Sequence, residues 1–438
     1  MAGGDTIFAL STPPGRSGIA VVRVSGPASR DAVEALVGRL PEARRAGLRR
    51  LRDRSGTVFD EALVLWFPGP RSETGEDVAE FHLHGGRAVV AAALEALTAV
   101  PGLRPAGPGE FTRRAVENGR IDLTQAEALA DLIDAETEAQ RRQALDQFQG
   151  CLARLYEDWR AELIRALGWV EAGIDFAEEG LPEDVTARAR RQVAGIGQQI
   201  QSHLADSRRG ELVREGIVLT LIGLPNSGKS SLLNALARRD AAIVAEEAGT
   251  TRDVIEVRLD LGGHAVTVAD TAGLREAAGA VEAEGVRRAL ARAESADLVL
   301  LVLDGSISEP AAGLSPKVME RAALTVWNKK DLGFPAPRQG LAISAKTGEG
   351  IPELAGLLTR LVQERLENRT GSPPLTRARH RHALEEAASA LSRALAAEAP
   401  ELMAEDLRLA LRALGRITGR VDVEEVLDVV FRDFCVGK

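Results

Sequence analysis

The feature that most constrains the fold is a glycine-rich stretch between an apolar run and a helix-forming segment. The apolar run is Ile217–Ile222, and Gly223-Leu-Pro-Asn-Ser-Gly-Lys-Ser-Ser231 follows it. Two glycines with four residues between them, followed by Lys-Ser, let backbone N–H groups curl around phosphate oxygens. Lys229 adds a point charge for the phosphates, and the Ser230 hydroxyl suits Mg²⁺. The pattern predicts a strand–loop–helix unit that binds the phosphate chain of a nucleotide.

Four further motifs follow in a fixed order: Gly249-Thr-Thr-Arg-Asp253, Asp270-Thr-Ala-Gly273, Asn328-Lys-Lys-Asp331 and Ser344-Ala-Lys346. Asp270 ends an apolar run, so its carboxylate can hold Mg²⁺ through water, and Thr251 offers a hydroxyl to the same ion. Asp331 can accept hydrogen bonds from N1–H and the 2-amino group of guanine, which adenine cannot match. Each motif alone is compatible with an ordinary turn, but the ordered set predicts a GTP site.

The predicted GTP-binding residues come from the phosphate loop, from the four further motifs and from the segment just before Gly249. They are Asn226, Ser227, Gly228, Lys229, Ser230, Ser231, Ala245, Gly249, Thr250, Thr251, Asp270, Thr271, Ala272, Gly273, Asn328, Lys329, Asp331, Ser344, Ala345 and Lys346. We predict Ser230 and Thr251 as Mg²⁺ ligands, and Lys229 and Thr251 as catalytic residues. This segment resembles translation-factor-class GTPases.

The residue after Asp270-Thr-Ala-Gly273 is Leu274, where many small GTPases have a glutamine that orients the attacking water. An aliphatic side chain cannot hold a water, so hydrolysis needs another source of positioning and charge neutralisation. The nearby candidates are Asn226, Glu276, Glu282 and Glu284. Solvated charge on a loop and helix start is an equally good interpretation of the three glutamates.

Length and composition limit the class of protein. A chain of 438 residues exceeds one ordinary core and suggests about three domains. Its 45% hydrophobic and 27% charged residues are typical of globular proteins, and the net charge of -9 argues against a general nucleic-acid coat. Two cysteines, Cys151 and Cys435, favour a reducing compartment. With neither a secretory signal nor a long uncharged apolar run, we expect a cytoplasmic protein without a membrane span.

The pattern along the chain predicts mixed α/β and α architecture. Residues 1–118 combine short strands and helices, whereas 119–212 are helical, with Leu123–Leu132 and Ala139–Leu167 as the clearest segments. Helical spacing returns over 373–438. We therefore predict that the nucleotide-binding module, residues 213–372, is inserted between two parts of one helical domain. Such helices are also compatible with a simple scaffold.

Motifs outside the nucleotide segment carry a resemblance to a known family. They are Asp5-Thr-Ile7, Thr12-Pro-Pro-Gly-Arg16, Val22-Arg-Val-Ser-Gly26, Thr74-Gly-Glu-Asp77, His84-Gly-Gly86, Pro108-Gly-Glu-Phe-Thr112, Asp122-Leu-Thr-Gln-Ala-Glu127 and Phe434-Cys-Val-Gly-Lys438. Together they resemble the MnmE (also called TrmE) family of tRNA-modifying GTPases over essentially the whole chain.

The resemblance implies a folate-binding and dimerising N-terminal domain, a discontinuous helical domain and an inserted Ras-like P-loop GTPase domain. It implies a homodimer that works with a flavin-dependent partner of the MnmG or GidA family. Together the two would install an aminomethyl or carboxymethylaminomethyl group on C5 of the wobble uridine of certain tRNAs. The carbon would come from a tetrahydrofolate, in its 5-formyl or methylene form, and GTP, Mg²⁺ and K⁺ would be the other cofactors.

The resemblance also implies residue roles. K⁺ would be held by Asn226, by Thr250 and by backbone groups near Ala245 and Glu247, and Glu282 would position the water as a third catalytic residue. The implied folate-binding residues are Arg23, Glu80, Arg120 and Lys438. This chain departs from the family at Arg120, commonly a lysine, and at Glu73, usually an aromatic residue. We expect Cys435 to be a small packed residue rather than a redox centre.

Two other functions stay open. One is a regulatory RNA- or ribosome-binding GTPase switch without modification chemistry, and the other is a folate-binding module with an incidental GTPase domain. The first 120 residues and the last five favour the modifying enzyme over the switch, because a switch does not need them. The intact nucleotide motifs count against the third reading.

Overall fold

The computed structural model describes residues 4–175, 184–206, 208–239, 256–270, 294, 296–312, 314–334, 340–366, 373–421, 427, 430–431 and 434–437. The chain forms two compact units. Unit 1 comprises Met1–Ala130, Gln147–Ala194 and Ser389–Lys438, and unit 2 comprises Asp131–Asp146 and Gly195–Ala388. The predicted mixed α/β, helical and P-loop architecture is confirmed, whereas the exact domain limits stay a prediction.

Unit 1 begins with a six-stranded sheet of order β3-β4-β5-β2-β1-β6. Its strands are β1 Thr6–Leu10, β2 Ser17–Ser25, β3 Gly47–Arg52, β4 Val58–Phe67, β5 Val78–Gly85 and β6 Leu103–Pro105. Apolar residues alternate along β2, β4 and β5, so one face packs on helices α1 (Ser29–Val37) and α2 (Arg87–Thr98). The opposite face is covered at the β1 end by α3 (Glu110–Glu117), through Phe111.

Beyond α3 the same sheet face is open to solvent. Leu48 and Leu63 are 58% and 43% exposed on it. Leu48 and Leu63 are register partners on β3 and β4, and Leu63 is opposite His82 of β5. This apolar, uncovered area is named the open sheet face. An exposed apolar area of this kind is typical of an association surface.

The helical elements before the nucleotide segment are α4 Leu123–Asp134, α5 Glu138–Phe148, α6 Cys151–Asp175, α7 Asp184–Leu204 and α8 Arg209–Glu215. The predicted helical segment Ala139–Leu167 is helical but falls into two helices. Gly150 has a φ of 83° and interrupts it, because a left-handed residue cannot continue a right-handed helix. Cys151 then starts α6, which packs in unit 1 against a helix near the C-terminus, Pro400–Thr418. None of the helices in the described ranges is long and apolar enough to cross a membrane.

Unit 2 contains a second six-stranded sheet, of order β12-β11-β10-β7-β9-β8. Its strands are β7 Ile217–Ile222, β8 Glu256–Leu261, β9 His264–Asp270, β10 Leu298–Asp304, β11 Leu324–Asn328 and β12 Leu341–Ala342. All neighbours are parallel except β8 and β9. The helices after α8 are α9 Lys229–Arg239, α10 Pro316–Arg321, α11 Ile351–Leu366, α12 Ala378–Ala396 and α13 Pro400–Thr418, the last two lying beyond the nucleotide segment. Parallel strands place their carboxyl ends at one edge, where ligands bind in such sheets.

Buried charges in unit 2 tie together the segments that enter and leave the nucleotide-binding module. The Arg381 guanidinium lies 2.7 Å from Asp206 and 2.9 Å from Glu211, and both carboxylates are almost fully buried. Arg377 and Arg214 share the Asp131 carboxylate, at 2.6 and 3.2 Å. We name the group Arg381, Asp206 and Glu211 the neck cluster. Because buried carboxylates are costly without partners, this cluster holds the two joins in one arrangement.

Candidate functional site

The phosphate loop connects β7 to α9. Asn226 and Gly228 have φ values of 61° and 92°, so the backbone curls as the motif predicts. The Lys229 ammonium donates to the carbonyl oxygens of Gly223 and Leu224, at 2.9 and 3.0 Å. The buried hydroxyl of Ser227 has no hydrogen-bond partner among the described residues. A curled loop with a buried lysine and an unsatisfied hydroxyl fits a ligand that is rich in acceptor oxygens.

Asn328 joins the phosphate loop to the segment predicted to bind the base. Its amide nitrogen donates to the Ser227 carbonyl at 2.8 Å, and its amide oxygen accepts from the Ala345 backbone N–H at 3.0 Å. A side chain at position 228 would collide with the Asn328 amide, which explains a glycine there. One buried side chain thus positions both ends of the predicted nucleotide site.

The predicted base-recognition residues lie at the ends of β11 and β12. The Asp331 carboxylate accepts from the Ser344 hydroxyl at 2.6 Å, and that hydroxyl accepts from the Thr347 N–H at 3.1 Å. Lys346 follows on the exposed surface of the same loop. The Ser344 hydroxyl orients the carboxylate, an arrangement compatible with the paired acceptor role predicted for Asp331.

Sequence reasoning missed Asp304, at the carboxyl end of β10 beside Asn328 in register. The Lys329 ammonium lies 2.6 Å from its carboxylate, and Ser306 donates to it through both N–H and hydroxyl. Burial raises the pKa of Asp304, but the hydrogen bonds from Lys329 and Ser306 outweigh it and leave the pKa below its ordinary value. Asp304 therefore stays ionised and orients Lys329. An acidic residue ending a strand at the nucleotide edge was the available signal.

The predicted Mg²⁺ and catalytic residues are only partly described. Ser230 lies in the first turn of α9, and Asp270 ends β9 opposite Leu221 in register, at the same sheet edge as the phosphate loop. The following predicted residues lie outside the described ranges: Ala245, Glu247, Gly249, Thr250, Thr251, Thr271, Ala272, Gly273, Glu282 and Lys438. Their roles stay predictions.

A second cluster of predicted residues surrounds Arg23 in unit 1. Arg23 is the register partner of Glu80, and its Nε and Nη2 donate to Glu80 Oε1 at 3.1 and 3.0 Å. Its Nη1 lies 2.5 Å from an oxygen of Glu73. The guanidinium also lies 5.8 Å from the centre of the Phe111 ring, and His82 is 3.3 Å from the second Glu80 oxygen. We name Arg23, Glu73 and Glu80 the Arg23 cluster.

Arg120 borders the Arg23 cluster through the loop that carries Glu73. Its Nε donates to the Ser72 carbonyl at 3.2 Å, and the Asn118 amide donates to the Thr74 carbonyl at 2.8 Å. Three of the four predicted folate residues, Arg23, Glu80 and Arg120, are therefore placed around one loop.

The C-terminal tail docks on the N-terminal domain. The Ser11 hydroxyl donates to the Gly437 carbonyl at 2.9 Å although the two are 426 residues apart in sequence, and the Gly109 N–H donates to the Cys435 carbonyl at 3.2 Å. Gly437 has a φ of 97°, and a side chain there would collide with the Leu10 carbonyl. Ser11 directly follows β1, whose Ala9 is the register partner of Arg23. The tail thus ends near the strand pair that carries Arg23.

The expectation that Cys435 is packed is wrong, because its thiol side chain is exposed. The tail is held through backbone groups at Cys435 and Gly437 and through the Phe434 ring, which packs 5.0 Å from that of Phe431. Within the tail motif the phenylalanine is therefore packed and the cysteine is not.

A buried arginine network, also missed from sequence, holds the loop that carries Glu73. Arg114 lies 2.7 Å from Asp5 and 3.2 Å from Glu76, and the Ser25 hydroxyl donates to Glu76 at 2.7 Å. Burial lowers the pKa of Arg114, but its carboxylate partners, Glu76 first, more than compensate and raise it. The network fixes the loop backbone against β2.

These features define the class: a P-loop guanine-nucleotide-binding domain carried within a larger mixed α/β and helical chain. Comparison with known families narrows this further. Residues 6–120 match the family described as "GTP-binding protein TrmE N-terminus", and residues 123–435 match "MnmE helical domain". The chain belongs to the MnmE (TrmE) family, as its motifs predicted.

Full-length relatives agree with this assignment. The chain is 57% identical over 440 residues to a protein of Parvibaculum lavamentivorans, covering 99% of this chain and 100% of that one. It is 56% identical over 442 residues to one of Paramagnetospirillum magneticum, covering 99% and 100%. It is 54% identical over 453 residues to one of Rhodospirillum rubrum, covering 99% of each. All three relatives carry the name "tRNA modification GTPase MnmE".

Proposed function

We propose that this chain is a GTP hydrolase that modifies C5 of the wobble uridine of certain tRNAs with a one-carbon unit from a tetrahydrofolate. The names of its relatives support the GTPase and tRNA parts. The observation that favours modification over a plain regulatory switch is the docking of the tail at Ser11, near Arg23. A switch has no use for a second polar site that includes the last residues of the chain.

The nucleotide site performs the first task. Lys229 holds the phosphate chain, Asp331 selects guanine, and Asn328 keeps the two ends of the site in register. Ser230 and Thr251 would hold Mg²⁺, which when bound neutralises charge on the β- and γ-phosphates. The hydroxyl of Ser230, in the first turn of α9, and the unsatisfied Ser227 hydroxyl suit a magnesium–triphosphate ligand.

Hydrolysis in this chain proceeds without a glutamine at position 274. We assign water positioning to Glu282 and assign K⁺ to Asn226, Thr250 and the backbone near Ala245 and Glu247. When bound, K⁺ supplies the positive charge that an arginine finger supplies elsewhere. GTP turnover should therefore be faster in K⁺ than in Na⁺ at equal ionic strength. Equal turnover in the two salts would refute the K⁺ assignment.

The Arg23 cluster performs the second task. Glu80 is an acceptor for the N–H edge of a pterin, and Arg23, Arg120 and Lys438 are cations for the carboxylates of the glutamate tail. The donor set fits a 5-formyl or methylene tetrahydrofolate, since that ligand combines a donor edge with an anionic tail. These residues bind and orient the one-carbon donor.

The assembly we propose is a homodimer that acts with a flavoprotein of the MnmG or GidA family on tRNA, in the cytoplasm. The open sheet face supports self-association, because it exposes the register partners Leu48 and Leu63 side by side. Two free cysteines, Cys151 and Cys435, are compatible with a reducing compartment.

The test uses a strain that lacks the gene for this chain. Mass spectrometry of nucleosides from its tRNA should show loss of the carboxymethylaminomethyl wobble uridine, and expression of the chain should restore it. Lys229→Ala should fail to restore it, whereas Lys317→Ala, an exposed lysine on α10, should restore it fully. Normal wobble uridine in the deletion strain, together with ribosome defects, would instead support the regulatory switch.

A further inference from the structure

Arg23 is held by two carboxylates that differ in how they are attached. Glu80 lies on β5 opposite Arg23 in register, and its side chain is 18% exposed. Glu73 lies on the loop between β4 and β5, and its side chain is 44% exposed. Arg23 therefore has one carboxylate partner built into the sheet and a second that reaches in from a loop.

The loop backbone around Glu73 is fixed although its side chain reaches solvent. Thr74 is fully buried, its hydroxyl is 2.7 Å from that of Ser25, and its carbonyl accepts from Asn118. The ion pair between Glu73 and Arg23 can thus open by rotation of the glutamate side chain alone. No movement of the loop is needed, and a half-exposed carboxylate is readily rehydrated.

The charge balance of the Arg23 cluster does not suit an anionic ligand as it stands. One guanidinium faces two carboxylates at 2.5 and 3.0 Å, so the cluster carries a net negative charge. An incoming carboxylate would be repelled unless Glu73 leaves. A ligand that only donates hydrogen bonds to Glu80 meets no such requirement.

We propose that Glu73 is a displaceable counter-ion that competes with the ligand for Arg23. It occupies Arg23 in the free protein and is replaced there by a ligand carboxylate. The inference rests on the proposed folate-binding function and extends it. When Glu73 leaves, only a ligand with an anionic group can form a new ion pair with Arg23. The affinity for neutral pterins therefore does not depend on the displacement of Glu73. Glu73 thereby lowers the affinity for the anionic ligand and leaves the affinity for neutral pterins unchanged.

The test is a titration of the full-length chain with 5-formyltetrahydrofolate, by calorimetry. Glu73→Gln should bind about 3-fold more tightly than wild type, the factor that corresponds to one partly exposed ion pair. Glu61→Gln is the matched control, since Glu61 is a half-exposed glutamate on β4 that pairs with Arg50 at 3.6 Å. It should bind as wild type does. Tetrahydropterin, which lacks the glutamate tail, should bind equally to all three proteins.

Three results would overturn the proposal. Equal affinity of wild type and Glu73→Gln for 5-formyltetrahydrofolate shows that Glu73 does not compete. Weaker binding by Glu73→Gln shows that Glu73 contacts the ligand favourably. Absence of saturable binding in wild type and in both variants, with GTP hydrolysis intact, refutes the folate-binding function itself. The proposed role of Glu73 is then refuted with it. The first two results leave that function standing, so the failures are distinguishable.

Discussion

The nucleotide site and the Arg23 cluster, which we propose as a second site for an anionic ligand, are built in opposite ways. The described nucleotide residues follow the strands of one parallel sheet, and Asn328 links them through neutral hydrogen bonds to backbone groups. The Arg23 cluster joins residues 57 positions apart and lies near a tail pinned 426 positions away, through charged groups. The first site is preorganised by topology, whereas the second depends on a balance of charges.

This difference predicts different responses to mutation. In a preorganised site the loss of one specific acceptor removes recognition, because the other groups cannot adjust. In a charge-balanced site single substitutions shift affinity by modest factors, since partly exposed ion pairs are individually weak. The following experiments test this contrast.

The largest effect is expected at Asp331. Asp331→Asn places a donor where guanine also donates, so affinity for GTP should fall by about 10⁴-fold. Xanthosine triphosphate, which has a carbonyl at C2, should bind the variant better than GTP does. Direct calorimetric titration with each nucleotide measures both. Asp297 is the control, because its carboxylate accepts a hydrogen bond from the Val218 N–H and lies in no predicted nucleotide motif. Asp297→Asn should bind GTP normally. Unchanged GTP affinity in Asp331→Asn would remove the base-recognition role.

The neck cluster tests whether the module that carries the nucleotide site is anchored by charge. Arg381→Met leaves the buried Asp206 and Glu211 without their shared partner, so unfolding free energy should fall by about 3 kcal/mol. Urea unfolding measures the change. Arg142→Met removes only an exposed pair with Glu138 and should cost less than about 1 kcal/mol. Equal losses would contradict anchoring by the neck cluster.

Acid should destabilise the two units in different pH windows. Burial lowers the pKa of His203 in unit 2 to about 4, from its ordinary value of 6.5. The unfolded chain then binds the proton first, so unit 2 loses up to about 3 kcal/mol as the pH falls from 6.5 to 4. His203→Gln should remove this slope.

In unit 1 the pKa of Asp5 is lowered, first by its hydrogen bond from Arg104. Burial raises the pKa of Glu110, but Arg104 outweighs it and the net direction is also down. These carboxylates stabilise unit 1 above their ordinary pKa values of 3.8 and 4.5, and the stabilisation is lost only below them. Hydrogen exchange read by mass spectrometry separates the units. Loss of protection in both units at the same pH would contradict the assignment.

The smallest effect is expected at the tail. Gly437→Ala should weaken binding of 5-formyltetrahydrofolate about 10-fold. The backbone at position 437 has a φ of 97°, which alanine disfavours, and the added Cβ would collide with the Leu10 carbonyl. Gly38→Ala is the matched control, with a φ of 80° and no heavy atom near the added carbon. Calorimetry compares the two. Wild-type affinity in Gly437→Ala would show that the docked tail is not part of the site.

The contrast also explains what sequence could predict. The phosphate loop, Asp331 and the family motifs are local patterns, and a parallel sheet brings strand ends to one edge whatever the intervening loops. Asn328 and its neighbours were therefore predictable as a GTP site, and the fold class followed. The ordered motifs gave no indication of how Asn328 would bridge Ser227 and Ala345, because that depends on side-chain packing.

Contacts that depend on tertiary structure escaped prediction. The pairing of Glu73 with Arg23, the docking of Gly437 at Ser11 and the orienting of Lys329 by Asp304 join separate segments with no local signature. The break in the helix at Gly150 is a different failure. The apolar spacing continues through it, and only the left-handed backbone of that glycine shows the interruption.

The central claim is that two sites of opposite construction serve one modification reaction. Its most direct test is the wobble-uridine content of tRNA from a deletion strain that expresses Arg23→Ala, with GTP turnover measured on the same purified variant. We predict that turnover stays at the wild-type level while the content of carboxymethylaminomethyl uridine falls. Full modification of the tRNA by Arg23→Ala would contradict the claim.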